Sequence, residues 1–252
     1  MTSEFSGKVA FITGGATGIG RAAALQLAAL GAKVAIADVA LENATRTAAD
    51  CEAAGGTALA IAMNVRTDEQ VAAAVQATVT AFGAIDIAIN AAGVGGPEVR
   101  TADYAPADWD AVIDINLTGV WRCMRHQIPV MLARKSGCIV NVASVAGLNG
   151  FPRHPAYAAS KHGVIGLTKT EALEYGRKGL RINALCPGFT LTPMVQSMLD
   201  AGLPAAELAA RVPLGRLGTP EEVAASALYL CSSAAAFMIG HALTIDGGIV
   251  AG

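Results

Sequence analysis

Short apolar runs alternate with helical patterns along almost the whole chain, and this alternation is the strongest constraint on its fold. Strands are predicted at 9–12, 33–37, 58–62, 85–89, 137–142 and 181–185, and a further strand closes the chain. Helices are predicted at 19–30, 41–54, 67–82, 107–134 (with a break near Gly119) and 156–175, before a partly helical segment near 192–210 and a last helix. Because the strands are apolar throughout and the connections are short, the sequence predicts one α/β domain over 1–252, a doubly wound parallel sheet with helices on both faces.

Two of the helix starts have the spacing of a capping box, Thr67 with Gln70 and Thr219 with Glu222. The second bears on the uncharged stretch 223–245, which is long enough to cross a membrane. Since this stretch begins with a capped helix and is interrupted by serine and glycine residues, we predict a short buried helix, a loop and a buried strand instead of a membrane span.

The charge and the cysteines argue against several classes of function. The formal net charge is −2 and no run of Lys and Arg occurs, so neither a nucleic acid nor an anionic membrane is an expected partner. The first residues lack the charged and apolar regions of a signal peptide. The five cysteines are widely spaced without a Cys-x-x-Cys pair, and the four histidines lack metal-ligand spacing. We therefore expect a cytoplasmic protein with reduced thiols and no metal site.

A glycine-rich turn lies between the first predicted strand and the first helix. Gly14, Gly18 and Gly20 follow a Gly-x-x-x-Gly-x-Gly spacing, which differs from the more familiar Gly-x-Gly-x-x-Gly. Glycines let the backbone approach a pyrophosphate, and the N–H groups at the following helix start attract that anion. A turn that needs positive φ angles would give the same pattern. The position after the first strand of a doubly wound sheet favours a dinucleotide site.

Asp38 ends the second predicted strand, eighteen positions after Gly20. A carboxylate there can accept hydrogen bonds from both hydroxyls of an adenosine ribose, and it would repel a 2′-phosphate. Val39 follows, and the glycine loop contains no base that could pair with such a phosphate. These residues favour NAD over NADP, although an ordinary acid at a strand end would look the same.

Further motifs follow in a fixed order. They are Asn90-Ala91-Ala92-Gly93, Asn116 in Asn-Leu-Thr-Gly, Ser144, Tyr157-Ala158-Ala159-Ser160-Lys161, Pro187-Gly188 and Asp246-Gly247-Gly248. With them the chain resembles the short-chain dehydrogenase/reductase family, in its compact single-domain form, almost from end to end. The resemblance implies a Rossmann fold and a nicotinamide-dependent oxidoreductase. One position departs from the family pattern, which has Asp-Val after the third strand; Asn64-Val65 stands here, and we expect a weaker contact with the adenine.

Tyr157 and Lys161 are four residues apart on one predicted helix, so they share a face. A neighbouring cation lowers the pKa of a tyrosine, which suits a general acid/base for an alcohol proton. The resemblance implies that role for Tyr157 and a bond from Lys161 to the nicotinamide ribose. It also implies that Ser144 orients the substrate oxygen and that Asn116 holds a water of a proton relay. Taken alone, each would read as a surface, cap or turn residue.

The resemblance likewise implies a set of cofactor-binding residues. They are Gly14, Thr17, Gly18, Ile19, Gly20, Asp38, Asn64, Val65, Asn90, Ala91, Gly93, Tyr157, Lys161, Pro187, Gly188, Thr190 and Thr192. The nicotinamide carboxamide is expected to meet the backbone after the sixth strand and one of two threonines, Thr190 or Thr192. The sequence does not choose between them.

The resemblance places most of the substrate residues at apolar positions. They are Val94, Gly95, Gly96, Ala146, Asn149, Phe151, His154, Phe189, Met194 and Met198, together with Ser144. None is Lys or Arg, although Arg153 is adjacent, so we expect a neutral, fairly apolar secondary alcohol or ketone, cyclic compounds included. His154 either hydrogen-bonds a second substrate oxygen or faces solvent. The segment at about 190–212 forms either a mobile lid or an ordinary packed helix.

Other functions compete with an alcohol dehydrogenase. A 3-oxoacyl thioester reductase would use the same residues. Epimerases and dehydratases of this kind have a different glycine spacing, and a NAD-binding sensor without turnover would not need Tyr157, Lys161 or Ser144. The resemblance also implies a homotetramer, built through the helix that starts near Ala156 and the C-terminal strand.

Overall fold

Seven parallel strands form one sheet in the computed structural model, which describes residues 3–251. The strands are β1 (Val9–Thr13), β2 (Lys33–Asp38), β3 (Thr57–Ala62), β4 (Ile87–Asn90), β5 (Gly137–Val142), β6 (Leu180–Pro187) and β7 (Ala242–Ile245). Their order across the sheet is β3-β2-β1-β4-β5-β6-β7. The order reverses between β1 and β4, which leaves a crevice at the carboxyl edge of the sheet. The predicted doubly wound Rossmann architecture is thus confirmed.

Helices cover both faces of the sheet. They are α1 (Gly18–Ala29), α2 (Leu41–Ala53), α3 (Asp68–Phe82), α4 (Pro106–Ile113), α5 (Gly119–Ala133), α6 (Pro155–Tyr175), α7 (Pro193–Asp200), α8 (Ala205–Ala210) and α9 (Pro220–Cys231). Successive strand residues point to opposite faces, so Ile12 packs into the core beneath α1, α2 and α9, whereas Phe11 packs into the core beneath α3, α5 and α6. The two cores fix the sheet edge at which the strands end.

The two predicted capping boxes have different outcomes. At α9 the Thr219 hydroxyl accepts from the Glu222 N–H, and the Glu222 carboxylate accepts from the Thr219 N–H, so this box is confirmed. At α3 the box is not formed, because the Gln70 side chain accepts instead from the Asn64 N–H at 2.8 Å. No helix within residues 3–251 is both long and apolar enough to cross a membrane.

The predicted long helix over 107–134 is divided by a π-helical turn, Asp114–Thr118, between α4 and α5. The π-helical turn therefore lies just before the predicted break at Gly119. One residue of the predicted site, Asn116, is the middle residue of this widened turn. Such turns are frequent at functional sites.

Candidate active site

A cavity of about 870 Å³ opens where the strands end. It takes residues from the ends of six strands, from the start of α6 and from the segment around α7. Among the predicted cofactor residues, Gly14, Thr17, Gly18, Ile19, Gly20, Asp38, Asn64, Val65, Ala91, Gly93, Tyr157, Lys161, Pro187, Gly188, Thr190 and Thr192 line it. The structure thus gathers this set, Asn90 excepted, around one space.

The glycine loop is packed so tightly that it admits no side chain at two positions. Gly14 has φ +65°, and a Cβ there would lie 2.8 Å from the backbone of Ala92. A Cβ on Gly20 would lie 2.2 Å from the carbonyl oxygen of Gly14. The close packing brings the N-terminal turn of α1 to the cavity wall, where its N–H groups can bind an anion.

The Asp38 carboxylate is held at the end of β2 by two backbone donors. One oxygen accepts from the Ala16 N–H at 3.1 Å, and the other accepts from the Ala40 N–H at 2.9 Å. Each oxygen keeps a lone pair for a further donor, since a carboxylate has about four acceptor positions. The neighbouring Val39 is 74% exposed and offers no charge.

Arg66 also lines the cavity, and it was missing from the residues predicted from sequence. Its guanidinium bonds the Asp114 carboxylate at 2.9 Å, and Arg122 bonds the same carboxylate at 2.7 Å. Burial raises the pKa of Asp114, but the hydrogen bonds from the two arginines outweigh it, and the pKa is lowered overall. Arg66 directly follows Asn64-Val65, so its place just after the third predicted strand was the signal that could have found it.

Ser144 and Tyr157 come to the cavity from different elements. Ser144 follows β5 by two residues, and its hydroxyl oxygen accepts from the Ala146 N–H at 3.1 Å. Tyr157 is the third residue of α6. Burial raises the pKa of Tyr157, and interaction with the Ser144 hydroxyl lowers it. The two hydroxyls can therefore act on one substrate oxygen.

Lys161 is almost fully buried, at 5% exposure. Its ammonium donates to the Val142 carbonyl at 2.8 Å and lies 5.6 Å from the centroid of the Tyr157 ring. Burial lowers the pKa of Lys161 to about 8. The expected direct lowering of the Tyr157 pKa by Lys161 is not seen, because the ammonium bonds a carbonyl instead of the phenol.

Asn116 is fully buried, and its side chain holds the loop after β4 in place through hydrogen bonds. Its side-chain oxygen accepts from the Val94 N–H at 2.8 Å, and its amide donates to the Val94 carbonyl at 2.8 Å and to the Ser160 hydroxyl at 3.2 Å. The side chain is thus already bonded to protein groups, and the expectation that Asn116 holds a water stays a prediction. Its place is nevertheless next to the reacting groups, since a Cβ on Gly93 would lie 3.3 Å from its oxygen and 3.6 Å from the Lys161 ammonium.

Asn90 is not brought to the cavity. Its side chain is 1% exposed and exchanges hydrogen bonds with Gln127, at 2.9 and 3.2 Å. It also donates to Asn141 at 2.9 Å, and Asn141 in turn donates to Thr168 at 3.0 Å. This polar network joins β4 and β5 to α5 and α6 inside the core, so the Asn90 side chain has a structural role, and the contact of Asn90 with the cofactor stays a prediction.

The remaining part of the cavity is mostly apolar and aromatic. Val94, Gly95, Gly96, Phe151, His154, Phe189, Met194 and Met198 line it, as predicted, whereas Ala146 and Asn149 do not. The Phe151 ring lies 4.8 Å from the ring of His154 and 6.3 Å from those of Tyr157 and Phe189. A flat, uncharged group fits this surface better than a charged one.

The two threonines after β6 differ in their partners. Thr190 is 4% exposed, and its hydroxyl donates to the Gly188 carbonyl at 3.1 Å. Thr192 stands at the start of α7 without bonding that helix through its side chain. A Cβ on Gly18 would lie 3.3 Å from its methyl group, so Thr192 is next to the glycine loop.

Comparisons with known proteins extend over nearly the whole chain. A family model described as enoyl-(acyl carrier protein) reductase matches residues 14–250. The chain is 42% identical to the cyclohexanol dehydrogenase of Acinetobacter sp. strain SE19, over 98% of this chain and 96% of that protein. It is 40% identical to a 3-oxoacyl-(acyl-carrier-protein) reductase of Thermotoga maritima, over 98% of this chain and 99% of that protein. Among solved structures, NAD+-bound xylitol dehydrogenase is similar with a TM-score of 0.93 and 32% identity, covering 98% of this chain and 100% of that chain.

Proposed function

The chain is an oxidoreductase of the short-chain dehydrogenase/reductase family, and we propose on this premise that it transfers a hydride between NAD and a neutral, fairly apolar secondary alcohol or the corresponding ketone. The observation that carries the proposal is the cavity itself. Ser144, Tyr157 and Lys161 meet at one end of it, and the Asp38 carboxylate stands at the other.

The residues present fit a nicotinamide dinucleotide. The side-chain-free cradle at Gly14 and Gly20, with the start of α1, suits the pyrophosphate. The free lone pairs of Asp38 suit the adenosine ribose hydroxyls and disfavour a 2′-phosphate, and the NAD+-bound relative agrees with this choice. Asn64 and Val65 would meet the adenine. Thr192 is the better candidate for the carboxamide, because the Thr190 hydroxyl is already bonded to Gly188.

Bound nicotinamide supplies the hydride acceptor for alcohol oxidation and the hydride donor for ketone reduction. Tyr157 takes the hydroxyl proton in the first direction and returns it to the carbonyl oxygen in the second. Ser144 donates to the same oxygen and stabilises its developing charge. Lys161, with a pKa of about 8, remains largely charged at neutral pH and would donate to the nicotinamide ribose. The Ser144 hydroxyl opposes the burial that raises the pKa of Tyr157.

A proton relay past Lys161 would need the main-chain carbonyl of Asn116, since the side chain is bonded to Val94 and Ser160. The π-helical turn places that residue where regular α-helical hydrogen bonding is interrupted. The side chain would then position the loop that covers Lys161.

The substrate proposed is a cyclic secondary alcohol or ketone. The apolar lining around Phe151 and Phe189 supports it, as does the similarity to a cyclohexanol dehydrogenase. Apart from Lys161, Arg66 is the cation in the lining, and it is already bonded to Asp114, so no free cation of the lining could hold a carboxylate. Reduction of a 3-oxoacyl thioester is the second candidate, since a relative of equal coverage carries that name.

Purified protein would be titrated with NAD+ and NADP+ and then assayed for reduced nicotinamide with cyclic alcohols and, in reverse, with a 3-oxoacyl thioester. Tyr157→Phe should lower turnover by about 10²- to 10⁴-fold and leave NAD+ binding unchanged. Tyr229→Phe, on the exposed side of α9, is the matched control. Binding of NAD+ without turnover of any alcohol, ketone or thioester would contradict the proposal and favour a binding module.

We also propose a homotetramer and a lid. Leu173 on α6 is 81% exposed, and Phe237, just before β7, is fully exposed, which supports association through these elements. The segment 190–212, with α7 and α8, borders the cavity and would close it over bound ligands. Light scattering would test the first, since a monomer at micromolar concentration contradicts it. Hydrogen exchange of the segment with and without NAD+ would test the second.

A further inference from the structure

His154 is a polar side chain in the apolar part of the cavity, and the proposed reaction does not use it. It lines the same cavity as Ser144 and Tyr157, and it directly precedes α6, on which Tyr157 stands three residues later. Two other hydroxyls of this lining already donate their hydrogen to the protein, Ser197 to the Met194 carbonyl at 2.8 Å and Thr190 to the Gly188 carbonyl. His154 packs against Phe151, whose ring lies 6.3 Å from that of Tyr157, so it is placed to contact a polar group that a substrate carries away from its reacting carbon.

The hydrogen bonding of the ring fixes its tautomer. Nδ1 lies 3.2 Å from the Pro152 carbonyl oxygen, and a carbonyl can only accept. Nδ1 must then carry the hydrogen, and in the neutral ring Nε2 is left as an acceptor. An acceptor selects a hydroxyl on the substrate over a second carbonyl or an ether, which have no proton to donate.

The ring and the backbone before it are held in place. The His154 ring packs against Phe151 with centroids 4.8 Å apart. Arg153 has φ +67°, a left-handed conformation that costs energy for a residue with a side chain. Its carbonyl accepts from the Val99 N–H at 2.8 Å and its guanidinium bonds Glu98 at 3.0 Å, and these bonds hold the strained residue. An imidazole on such a fixed segment pays little ordering entropy when it binds a ligand.

We propose that His154 makes the enzyme selective for substrates with a second hydroxyl, namely cyclic diols and the hydroxyketones formed from them. Nε2 accepts a hydrogen bond from the hydroxyl that does not react, while Ser144 and Tyr157 hold the one that does. This inference rests on the proposed function and names the substrate class of the same site.

The test compares three kinds of substrate with NAD+: cyclohexanol, the cis and trans isomers of 1,2-, 1,3- and 1,4-cyclohexanediol, and their mono-O-methyl ethers. The ethers keep both oxygens of the diols but are one methyl group larger and lack the second donor, so the ratio is read against the variants below. After correction for the two reactive hydroxyls of a diol, kcat/KM for at least one diol should exceed that of its ether by about two- to tenfold, the value of one neutral hydrogen bond.

Two variants complete the test. His154→Phe keeps an aromatic ring against Phe151 and removes the acceptor, so it should bring the diol-to-ether ratio to about one, whatever its effect on the turnover of cyclohexanol. His154→Gln, which offers an amide oxygen, should restore part of the ratio. His162→Phe makes the same change on the exposed part of α6 and should leave the ratio unaltered.

The outcomes separate the two proposals. Turnover of cyclohexanol with no diol preference in the wild type, or with the same preference in His154→Phe, would overturn the role of His154 and leave the proposed function standing. Absence of turnover on every alcohol would overturn the proposed function and this inference with it. A wild-type preference that His154→Phe abolishes supports both.

Discussion

Replacing Asp38 by alanine should remove the preference of the cavity for NAD over NADP. The carboxylate would accept hydrogen bonds from the ribose hydroxyls, and bonds to a charged acceptor are each worth about 1.5–3 kcal/mol. Since the two oxygens already accept from Ala16 and Ala40, we take the value of one such bond as the net gain. NAD+ binding should then weaken by about 10- to 150-fold in Asp38→Ala.

The 2′-phosphate of NADP experiences the opposite effect. Two unit charges about 4 Å apart repel by roughly 1 kcal/mol in water and by roughly 4 kcal/mol near a protein surface. Asp38 is partly exposed, so a repulsion of about 2 kcal/mol is reasonable. Its removal should improve NADP+ binding by about 30-fold, and adding Val39→Arg should improve it further, because an arginine pairs with a phosphate through two bonds.

Calorimetric titration of both dinucleotides into wild type, Asp38→Ala and Asp38→Ala/Val39→Arg measures these changes. Glu42→Gln is the control, since it removes a nearby negative charge that is 81% exposed and outside the cavity. Asp38→Ala also leaves the buried Ala16 N–H without its acceptor, so urea unfolding should show a loss of about 1–3 kcal/mol. Unchanged NAD+ affinity in Asp38→Ala, or stronger NADP+ binding by the wild type, would refute the reasoning.

Three further predictions concern single side chains. Ser144→Ala should lower kcat by about 10²- to 10³-fold. Because Ser144 lowers the pKa of Tyr157, the pH profile of alcohol oxidation should also move to higher pH in this variant. An unchanged pH profile would contradict the interaction between Ser144 and Tyr157. The pKa of Lys161 is about 8 in the folded protein and 10.5 ordinarily, so burying its charge destabilises the fold fully below pH 8 and progressively less as the pH rises to 10.5. The free energy of unfolding of the wild type should therefore be higher at pH 10 than at pH 7 by up to about 3 kcal/mol, and this difference should be absent in Lys161→Met. Asn90→Leu should destabilise the fold by about 2–4 kcal/mol through its unpaired partners and leave NAD+ affinity within about twofold; a large loss of affinity at unchanged stability would place Asn90 in the cofactor site after all.

The sequence was sufficient where local chemistry decides the structure. The strands and helices follow from apolar runs and their spacing, and the cap at Thr219 forms because its partner Glu222 is three residues away. The glycine loop was also recognisable, since Gly14 and Gly20 are needed for contacts within the loop and with its neighbour strand. Tyr157 and Lys161 belong to the same group, because one helix fixes their relative positions.

The sequence was insufficient where the hydrogen bonds of a side chain depend on a partner that is distant along the chain or belongs to another element. Gln70 has the right spacing for a cap but bonds Asn64, and nothing local favours one partner over the other. Asn90 stands in a motif that predicts a cofactor contact, yet Gln127 and Asn141 reach it through the core. The hydrogen-bond partners of these two side chains could not be predicted because amides bind whichever groups the tertiary packing presents to them.

Lys161 shows why packing and chemistry cannot be separated in this site. A buried ammonium costs free energy, and here the Val142 carbonyl, 2.8 Å away, offsets part of it. The surrounding backbone must also leave room, since a Cβ on Gly147 would lie 2.7 Å from the Lys161 carbonyl oxygen. Gly147 has no positive φ, so the proximity of Lys161, and not backbone conformation, requires a glycine there. The stability lost at Lys161 is therefore the cost of holding a desolvated cation beside Tyr157, where water would otherwise screen its charge.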